Sequence, residues 1–485
     1  MQVLAVHYHL KPGGVTRILE NTARANRAAG EPIDFAVLTG PPAKNDIIGR
    51  CACIPELAYT TEDSAAVDGD CLYQALMRGA RDLFGSLPDI WHIHNHSLGK
   101  NSGMAGAVRR LIGDGRKVLL QMHDFAEDGR PENYKLIQDN LESLEDLYPL
   151  ADQVSYAVIN GRDFRFLDEA GFPNNHLHFL PNPVADPGPL NSDSGLEDFL
   201  PCRELFLYPV RALRRKNLGE CLLLNMAHPE AAVASTLGPS NPAYQTQFER
   251  WKAFSSELGL DVHLGIAQEN DFAFEAIVSR ADAVISTSIA EGFGLGFIEP
   301  WLFGKPLIGR DIPDITQDFK DAGINLDHMY RSIPVPLDLV PQAEQLKAKA
   351  KAAVVDAYNA YQTPIYYGAE EEAWTAMTQD DCIDFGRLDE AYQELLLKQL
   401  AADDSASFFD TVRSAFFGQT ISPERSEQNA QVGRDVFSEA GFFNNLLSIY
   451  QSLSKRTIDR VLDHIPPRAV LASFLKPERL NLLRT

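Results

Sequence analysis

The chain has 485 residues, 45% hydrophobic and 23% charged, with 26 Phe, 15 Tyr and 4 Trp. That is an ordinary globular composition with length for two or three domains, and it excludes disorder as the whole answer. Its 44 basic against 67 acidic residues give a formal charge of −23, which argues against nucleic acid or a stably held membrane as partner.

No apolar run is long enough to span a bilayer, and Met1–Leu10 has no basic leader. Cys51, Cys53, Cys71, Cys202, Cys221 and Cys382 form no CxxC pair and read as reduced thiols. A cytoplasmic chain is therefore expected.

The first apolar run, Val3–Tyr8, is followed by Lys11-Pro12-Gly13-Gly14 and a helical pattern from Val15 to Gly30. Strand, glycine turn and helix open a doubly wound α/β domain. Further strands are predicted at Phe35–Leu38, Ile90–His94, Val118–Met122 and Val154–Ile159. Helices are predicted over Tyr73–Phe84, Met104–Ile112 and Tyr134–Leu147. The strands are continuous apolar runs, as buried parallel strands are. Pro181-Asn182-Pro183 and Pro187-Gly188-Pro189 read as a linker.

A second series follows, with strands at Leu205–Val210, Ala232–Leu237, Val262–Gly265, Ala283–Ser286 and Pro306–Gly309, and a helix around Cys221–Met226. From Val340 the pattern is helical, over Ala343–Tyr361, Leu388–Leu400 and Val436–Leu453. The expected architecture is two doubly wound α/β domains, 1–184 and 200–335, facing across a cleft. A helical insertion over 336–424 and C-terminal helices over 425–485, packing back across the domains, complete it. Ligands of such sheets bind beyond the carboxyl ends of the strands.

Two motifs of the second domain carry chemistry. Glu291-Gly292-Phe293-Gly294-Leu295-Gly296-Phe297-Ile298-Glu299 follows a strand and precedes a predicted helix. Its turn can offer the amides of Phe293, Gly294 and Leu295 to an anion. Glu291 at the entrance and Glu299 about two helical turns along can bind hydroxyls at the two ends of one elongated ligand. The alternative is a glycine turn with two solvated glutamates. Pro209-Val210-Arg211-Ala212-Leu213-Arg214-Arg215-Lys216-Asn217 places four cations after the domain's first strand. Arg211 and Lys216 stand where a diphosphate would lie, with Lys216 expected exposed. The bland reading is a solvated basic turn, which the neighbouring Glu291 turn makes less favourable.

Arg211/Lys216 with the Glu-x7-Glu run resembles the family 4 retaining glycosyltransferases, which have the two-domain GT-B fold. Gly13-Gly14, Met122-His123-Asp124, Leu180-Pro181-Asn182-Pro183-Val184 and Gly304-Lys305-Pro306-Leu307-Ile308 are similar to further segments of that family. Asn429–Tyr450 looks like its C-terminal helix. Pro300, the segment Arg310-Asp311-Ile312-Pro313, and 333–424 with Asp384-Phe385-Gly386-Arg387-Leu388-Asp389 depart from it.

The resemblance implies an acceptor-binding first domain and a nucleotide-sugar-binding second domain. Glu291 would contact the donor sugar and Glu299 the ribose. Arg211 and Lys216 would neutralise the diphosphate, the amides near Gly14 and at Phe293, Gly294 and Leu295 would assist, and His123 would lie beside the reacting sugar. The implied activity is retaining transfer of a hexose from a nucleotide sugar of the UDP-glucose or GDP-mannose type. The expected acceptor is a soluble small molecule or saccharide, and no metal or other cofactor is required. The alternatives are a non-catalytic sugar-nucleotide-binding protein, or another reaction on the same scaffold (epimerisation, phosphorolysis).

His7, His9, His92, His94, His96 and His123 gather near strand ends of the first domain. His92, His94 and His96 would share one strand face. A zinc site is one reading. The preferred one has His9, His94, His96 and Lys100 holding a polar, anionic acceptor, while a member such as His7 serves as a buried structural histidine.

Overall fold

The computed structural model describes residues 1–61, 65–188, 204–270, 272–402, 405–481 and 483. Pro189 of the expected linker and Cys202 lie outside these residues, as do the side chains of 269 and 270. The chain divides into two compact units, Met1–Ala185 with Tyr358–Thr363 and Phe437–Lys476, and Asp186–Ala357 with Pro364–Val436 and Pro477–Thr485. Among the described residues no helix is long and apolar enough to cross a membrane.

The strands of the first unit are β1 (Gln2–His7), β2 (Asp34–Thr39), β3 (Cys51–Cys53), β4 (Ile90–His94), β5 (Val118–Met122), β6 (Pro149–Leu150), β7 (Val154–Val158) and β8 (Leu177–Phe179). Seven of them form one parallel sheet in the order β3-β2-β1-β4-β5-β7-β8, while β6 pairs antiparallel with Asp463–His464. Every residue of β4, β5 and β7 is buried, which is why these runs are apolar throughout. The predicted helix Tyr134–Leu147 is instead Pro131–Asn140 followed by a single tight turn, Leu144–Leu147. Leu141 is extended between the two, and the Ser143 hydroxyl caps the turn. The expected helix Asn429–Tyr450 is likewise two, Pro423–Val436 and Glu439–Lys455, the second capped by Ser438. Phe442, Leu446, Tyr450 and Leu453 of that second helix share a core cluster with Ile18, Leu19 and Ala23 of the helix Gly14–Ala28.

In the second unit β9 (Glu204–Arg211), β10 (Ala231–Leu237), β11 (Val262–Leu264), β12 (Ala283–Ser286) and β13 (Leu307–Gly309) form a parallel sheet ordered β11-β10-β9-β12-β13. The stretch expected to be wholly helical from Val340 contains two of three further short strands. β14 (Pro334–Pro336), β15 (Thr378–Gln379) and β16 (Cys382–Asp384) make a small antiparallel sheet in the order β14-β16-β15. These strands have two or three residues each, too short for an alternating pattern to show.

Four histidines on the first unit's sheet or directly after it, His7, His92, His94 and His123, are all buried. Burial pushes the imidazoles of His7, His92 and His123 down from 6.5 to about 3, and His94 moves the same way. Glu127, also buried, is pushed up from 4.5 to about 7.

The signs follow from proton counting. Between pH 6.5 and about 3 the unfolded histidines hold protons that the folded ones do not, so stability is lost as pH falls through 6.5. Each histidine contributes at most about 1.4 kcal/mol per pH unit. Glu127 acts oppositely below pH 7 but is a single group set against several. Urea denaturation at pH 7.0 and 5.5 should therefore give a clearly smaller unfolding free energy at the lower pH. A flat profile would contradict the burial of neutral imidazoles.

Candidate active site

In both sheets the strand order reverses beside the first strand, between β1 and β4 and between β9 and β12. Chain crossovers leave such a point on opposite faces, and the loops beyond it open a crevice. Both motifs of the second unit sit there.

Beyond β9, Arg214–Lys216 forms one tight turn and Asn217 follows in the left-handed region at φ 52°. Beyond β12, the Thr287 hydroxyl donates to the Lys216 carbonyl at 2.9 Å, and the Ile289 amide donates to the Arg215 carbonyl at 2.9 Å. These bonds join the two loops, and the Lys216 ammonium pairs with Glu291 Oε1. Both side chains are nearly buried, at 13% and 12% exposure, so the expectation of an exposed Lys216 is corrected. Arg215 Nε lies 3.9 Å from Glu291 Oε2. Burial pushes the Lys216 ammonium down despite Glu291. Burial alone would raise the Glu291 carboxyl, but Lys216 and Arg215 outweigh it and hold the group below its ordinary value. The glutamate is therefore ionised beside a nearly buried lysine.

The four cations of the basic turn have different surroundings. Arg211, at the end of β9, is exposed and donates to the Gly238 carbonyl at 3.4 Å. Arg214 is held by Glu390, with Nε to Oε1 at 3.0 Å and Nη2 to Oε2 at 3.1 Å.

After Glu291 the chain makes a tight turn, Leu295–Phe297, and then only a four-residue helix, Glu299–Leu302. The glycine turn expected between Glu291 and Glu299 is present, and Glu299, half-buried, opens the helix after it, which is only four residues long. Gly294 has φ 90°, and a Cβ there would come within 2.8 Å of Phe297 and 2.9 Å of Ile315, so glycine is required. Phe293 is buried and Leu295 half-buried; the amides of Gly294 and Leu295 donate to no acceptor among the described residues.

In the first unit Gly14 begins the helix Gly14–Ala28, with open space where a Cβ would stand. His94 Nδ1 and His123 Nε2 lie 2.9 Å apart. His92 is engaged on both nitrogens, by Tyr450 OH at 2.7 Å and Gln121 Oε1 at 2.9 Å. The rings of His92 and His94 lie with centroids 4.2 Å apart, tilted by 35°. His96 leaves their face, because Asn95 between them has φ 56°; its Nε2 meets the Leu147 carbonyl at 3.0 Å. Buried His94 Nε2 and His96 Nδ1 have no hydrogen-bond partner among the described residues.

His9 Nε2 lies 3.0 Å from Tyr59 OH, and Lys100 Nζ sits 5.8 Å from the centre of the same ring. Lys100 reaches Asn133 Oδ1 at 3.4 Å and no carboxylate within ion-pair distance among the described residues. Burial, then Arg130, pushes its ammonium down. Among the described residues no three His, Cys, Asp or Glu side chains converge as metal ligands.

Several residues of these edges carried no sequence signal. Asn95 Oδ1 accepts the amides of His123 at 2.7 Å and Asp124 at 3.3 Å, bracing the ends of β4 and β5. Tyr59 comes from a loop far along the chain. Arg310 did carry a signal, being a charge directly after the buried strand β13. It is itself buried and grips Glu220 and Asp384.

No family model matches the chain. It is 27% identical over 336 residues to mannosylglucosyl-3-phosphoglycerate synthase of Petrotoga mobilis, a match covering 65% of this chain and 66%, just under two thirds, of that protein. Among solved structures it is similar to sucrose-phosphate synthase from Thermosynechococcus elongatus, with TM-score 0.53, 13% identity, and 93% of this chain and 99% of that one covered. HepE from Anabaena, solved with UDP and glucose, matches with TM-score 0.53 and 14% identity over 93% of this chain and 100% of that one. The catalytic domain of starch synthase IV from Arabidopsis thaliana, bound to ADP and acarbose, matches with TM-score 0.52 and 14% identity over 94% and 100%. The fold of this chain is the GT-B fold of such glycosyltransferases.

Proposed function

We propose that this chain is a retaining glycosyltransferase that moves a hexose from a UDP-glucose- or GDP-mannose-type donor to a polar, anionic small-molecule acceptor. The observation that carries the reading is the Lys216–Glu291 pair where the strand order of the second sheet reverses. The relative from Petrotoga mobilis, whose name specifies a sugar-bearing phosphoglycerate, supports it.

Cleaving a sugar–phosphate bond develops positive charge on the sugar and negative charge on the departing diphosphate. In this reading Lys216 and Arg211 meet the diphosphate, and fixed cations in a water-poor site are the largest available source of transition-state stabilisation. Glu291, ionised, accepts hydrogen bonds from sugar hydroxyls, and Glu299 accepts them from the ribose. The amides near Gly14 and at Phe293, Gly294 and Leu295 add donors to the phosphates, and His123 attends the sugar. The first unit supplies the acceptor side. Lys100, with no ion pair among the described residues, takes the acceptor's phosphate or carboxylate, and His9, His94 and His96 offer neutral imidazole nitrogens to its hydroxyls. No metal is assigned a role, because Arg211 and Lys216 supply the positive charge.

Lys216→Ala should lower turnover by roughly two to three orders of magnitude. It also leaves Glu291 nearly buried without its partner, which costs about 1–3 kcal/mol of stability. The double variant Lys216→Ala/Glu291→Ala should regain stability but not turnover. Turnover near that of the parent in Lys216→Ala removes the residue from the site. Transfer from UDP-glucose or GDP-mannose should persist in excess EDTA; loss restored by added zinc or magnesium would reverse the assignment. Turnover that needs no acceptor, or needs free phosphate, would point to another reaction.

Glu299→Ala should weaken the free nucleoside diphosphate and the intact nucleotide sugar alike, each by roughly tenfold or more. Glu291→Ala should weaken the intact donor similarly but leave the free nucleoside diphosphate no weaker, since it also frees Lys216. Calorimetry with both ligands on both variants decides, and equal losses of the nucleoside diphosphate would mean the ends are misassigned.

A further inference from the structure

Lys216 owes its place to a buried polar chain that begins at the next residue. Asn217 is fully buried and left-handed. Its Nδ2 donates to Glu220 Oε2 at 2.8 Å, and its Oδ1 accepts from Gln393 Nε2 at 2.8 Å. Glu220, fully buried, takes Arg310 Nε at 3.2 Å and Nη2 at 2.5 Å, and also accepts from Tyr330 OH. Arg310 turns its other edge to Asp384, with Nη1 to Oδ2 at 2.6 Å and Nη2 to Oδ1 at 3.0 Å. Asp384 Oδ1 also accepts the Ile333 amide at 2.9 Å, and Gln393 Nε2 donates to the Phe385 carbonyl at 3.0 Å. A Cβ at Gly386 would lie 2.8 Å from Arg310 Nη2, so the Asp384-Phe385-Gly386 turn is fitted to the guanidinium. Glu390 of the next helix holds Arg214, in the same turn as Lys216.

A guanidinium with both edges on carboxylates is a rigid joint, and removing one partner leaves a buried charge uncompensated. Through Asp384 on one side and Gln393 on the other, the chain reaches the 333–393 stretch. That stretch therefore grips the Lys216 turn from behind, while Thr287 and Ile289 hold it from the strand side.

We propose that Asn217, Glu220, Arg310, Asp384 and Gln393 are positioning residues that fix the Lys216 ammonium for the donor's diphosphate, so that the 333–393 stretch sets donor affinity and turnover without touching the donor. This rests on the donor-site reading given above. The five side chains act through the backbone of the turn. A displacement of about 1 Å in a charge aimed at a transition state costs up to about a hundredfold in rate.

The test uses the full chain with Asn217→Gly and Gln393→Leu. Glycine keeps the left-handed backbone while deleting both side-chain bonds, and leucine removes the amide on the far side. Arg310→Lys, which keeps the charge but not the two-edged grip, is the third variant. Two readouts are taken on protein that circular dichroism and thermal melting show to be folded. The first is acylation of Lys216 by a water-soluble active ester, followed by peptide mass spectrometry. The second is calorimetric binding of UDP, GDP, UDP-glucose and GDP-mannose, with kcat and KM for whichever sugar nucleotide is turned over.

Lys216 labelling should rise several-fold in Asn217→Gly and Gln393→Leu. Affinity for the nucleotide should fall roughly tenfold, and kcat should fall with it, while the KM for the acceptor stays within about twofold. Arg310→Lys should shift both values in the same direction. Labelling and donor affinity unchanged in folded Asn217→Gly and Gln393→Leu overturn the proposal. If the parent protein binds none of the four nucleotides, the functional reading falls, and the labelling result alone still decides whether these residues place Lys216.

Discussion

A parallel strand reaches its neighbour only through a crossover that covers one face of the sheet, and the second crossover from a first strand can go to the other side. Both sheets of this chain do this, at β1/β4 and at β9/β12. The loops beyond those strand pairs are pushed apart, leaving backbone and side chains that regular packing would otherwise consume. His7 and His94 end the strands of one such pair, and the Lys216 and Glu291 loops follow those of the other. The chemistry proposed for the chain depends on this topological constraint before it depends on any single residue.

The two edges handle charge in opposite ways. In the first unit burial removes it, and the imidazoles are held neutral well below their ordinary range. In the second unit burial is compensated by pairing, Lys216 with Glu291 and Arg310 with Glu220 and Asp384. An unpaired ion at those depths costs several kcal/mol, whereas a paired and hydrogen-bonded one roughly breaks even. The acidity of the whole chain therefore says little about its sites, where cations are concentrated and oriented.

The longer parallel strands were legible as apolar runs, and Ile90–His94, Val118–Met122 and Ala283–Ser286 occur with the predicted limits, whereas the three-residue strands Cys51–Cys53 and Leu177–Phe179 of the first sheet were not foreseen. The meeting of Lys216 with Glu291 was foreshadowed by their places after two strands of one sheet. What stayed hidden depends on tertiary partners. Asp384 and Arg310 lie 74 positions apart, and no local pattern links them. The small sheet β14-β16-β15 is too short to show periodicity. The face shared by His92 and His94 does not include His96, because one left-handed asparagine turns the chain. A period-based reading misses such single-residue reversals by construction.

The helix Glu439–Lys455 seals the face of the helix Gly14–Ala28 through Phe442, Leu446, Tyr450 and Leu453. Those partners are separated by most of the polypeptide, so on the ribosome the N-terminal sheet emerges long before the helix that completes its core. Until then Ile18 and Leu19 face solvent or a temporary cover. Domains usually finish in the order in which they are made; here the one begun first cannot close until the helix Glu439–Lys455 has been made. Nascent chains stalled short of residue 455 should therefore be the ones that chaperones hold and proteases find.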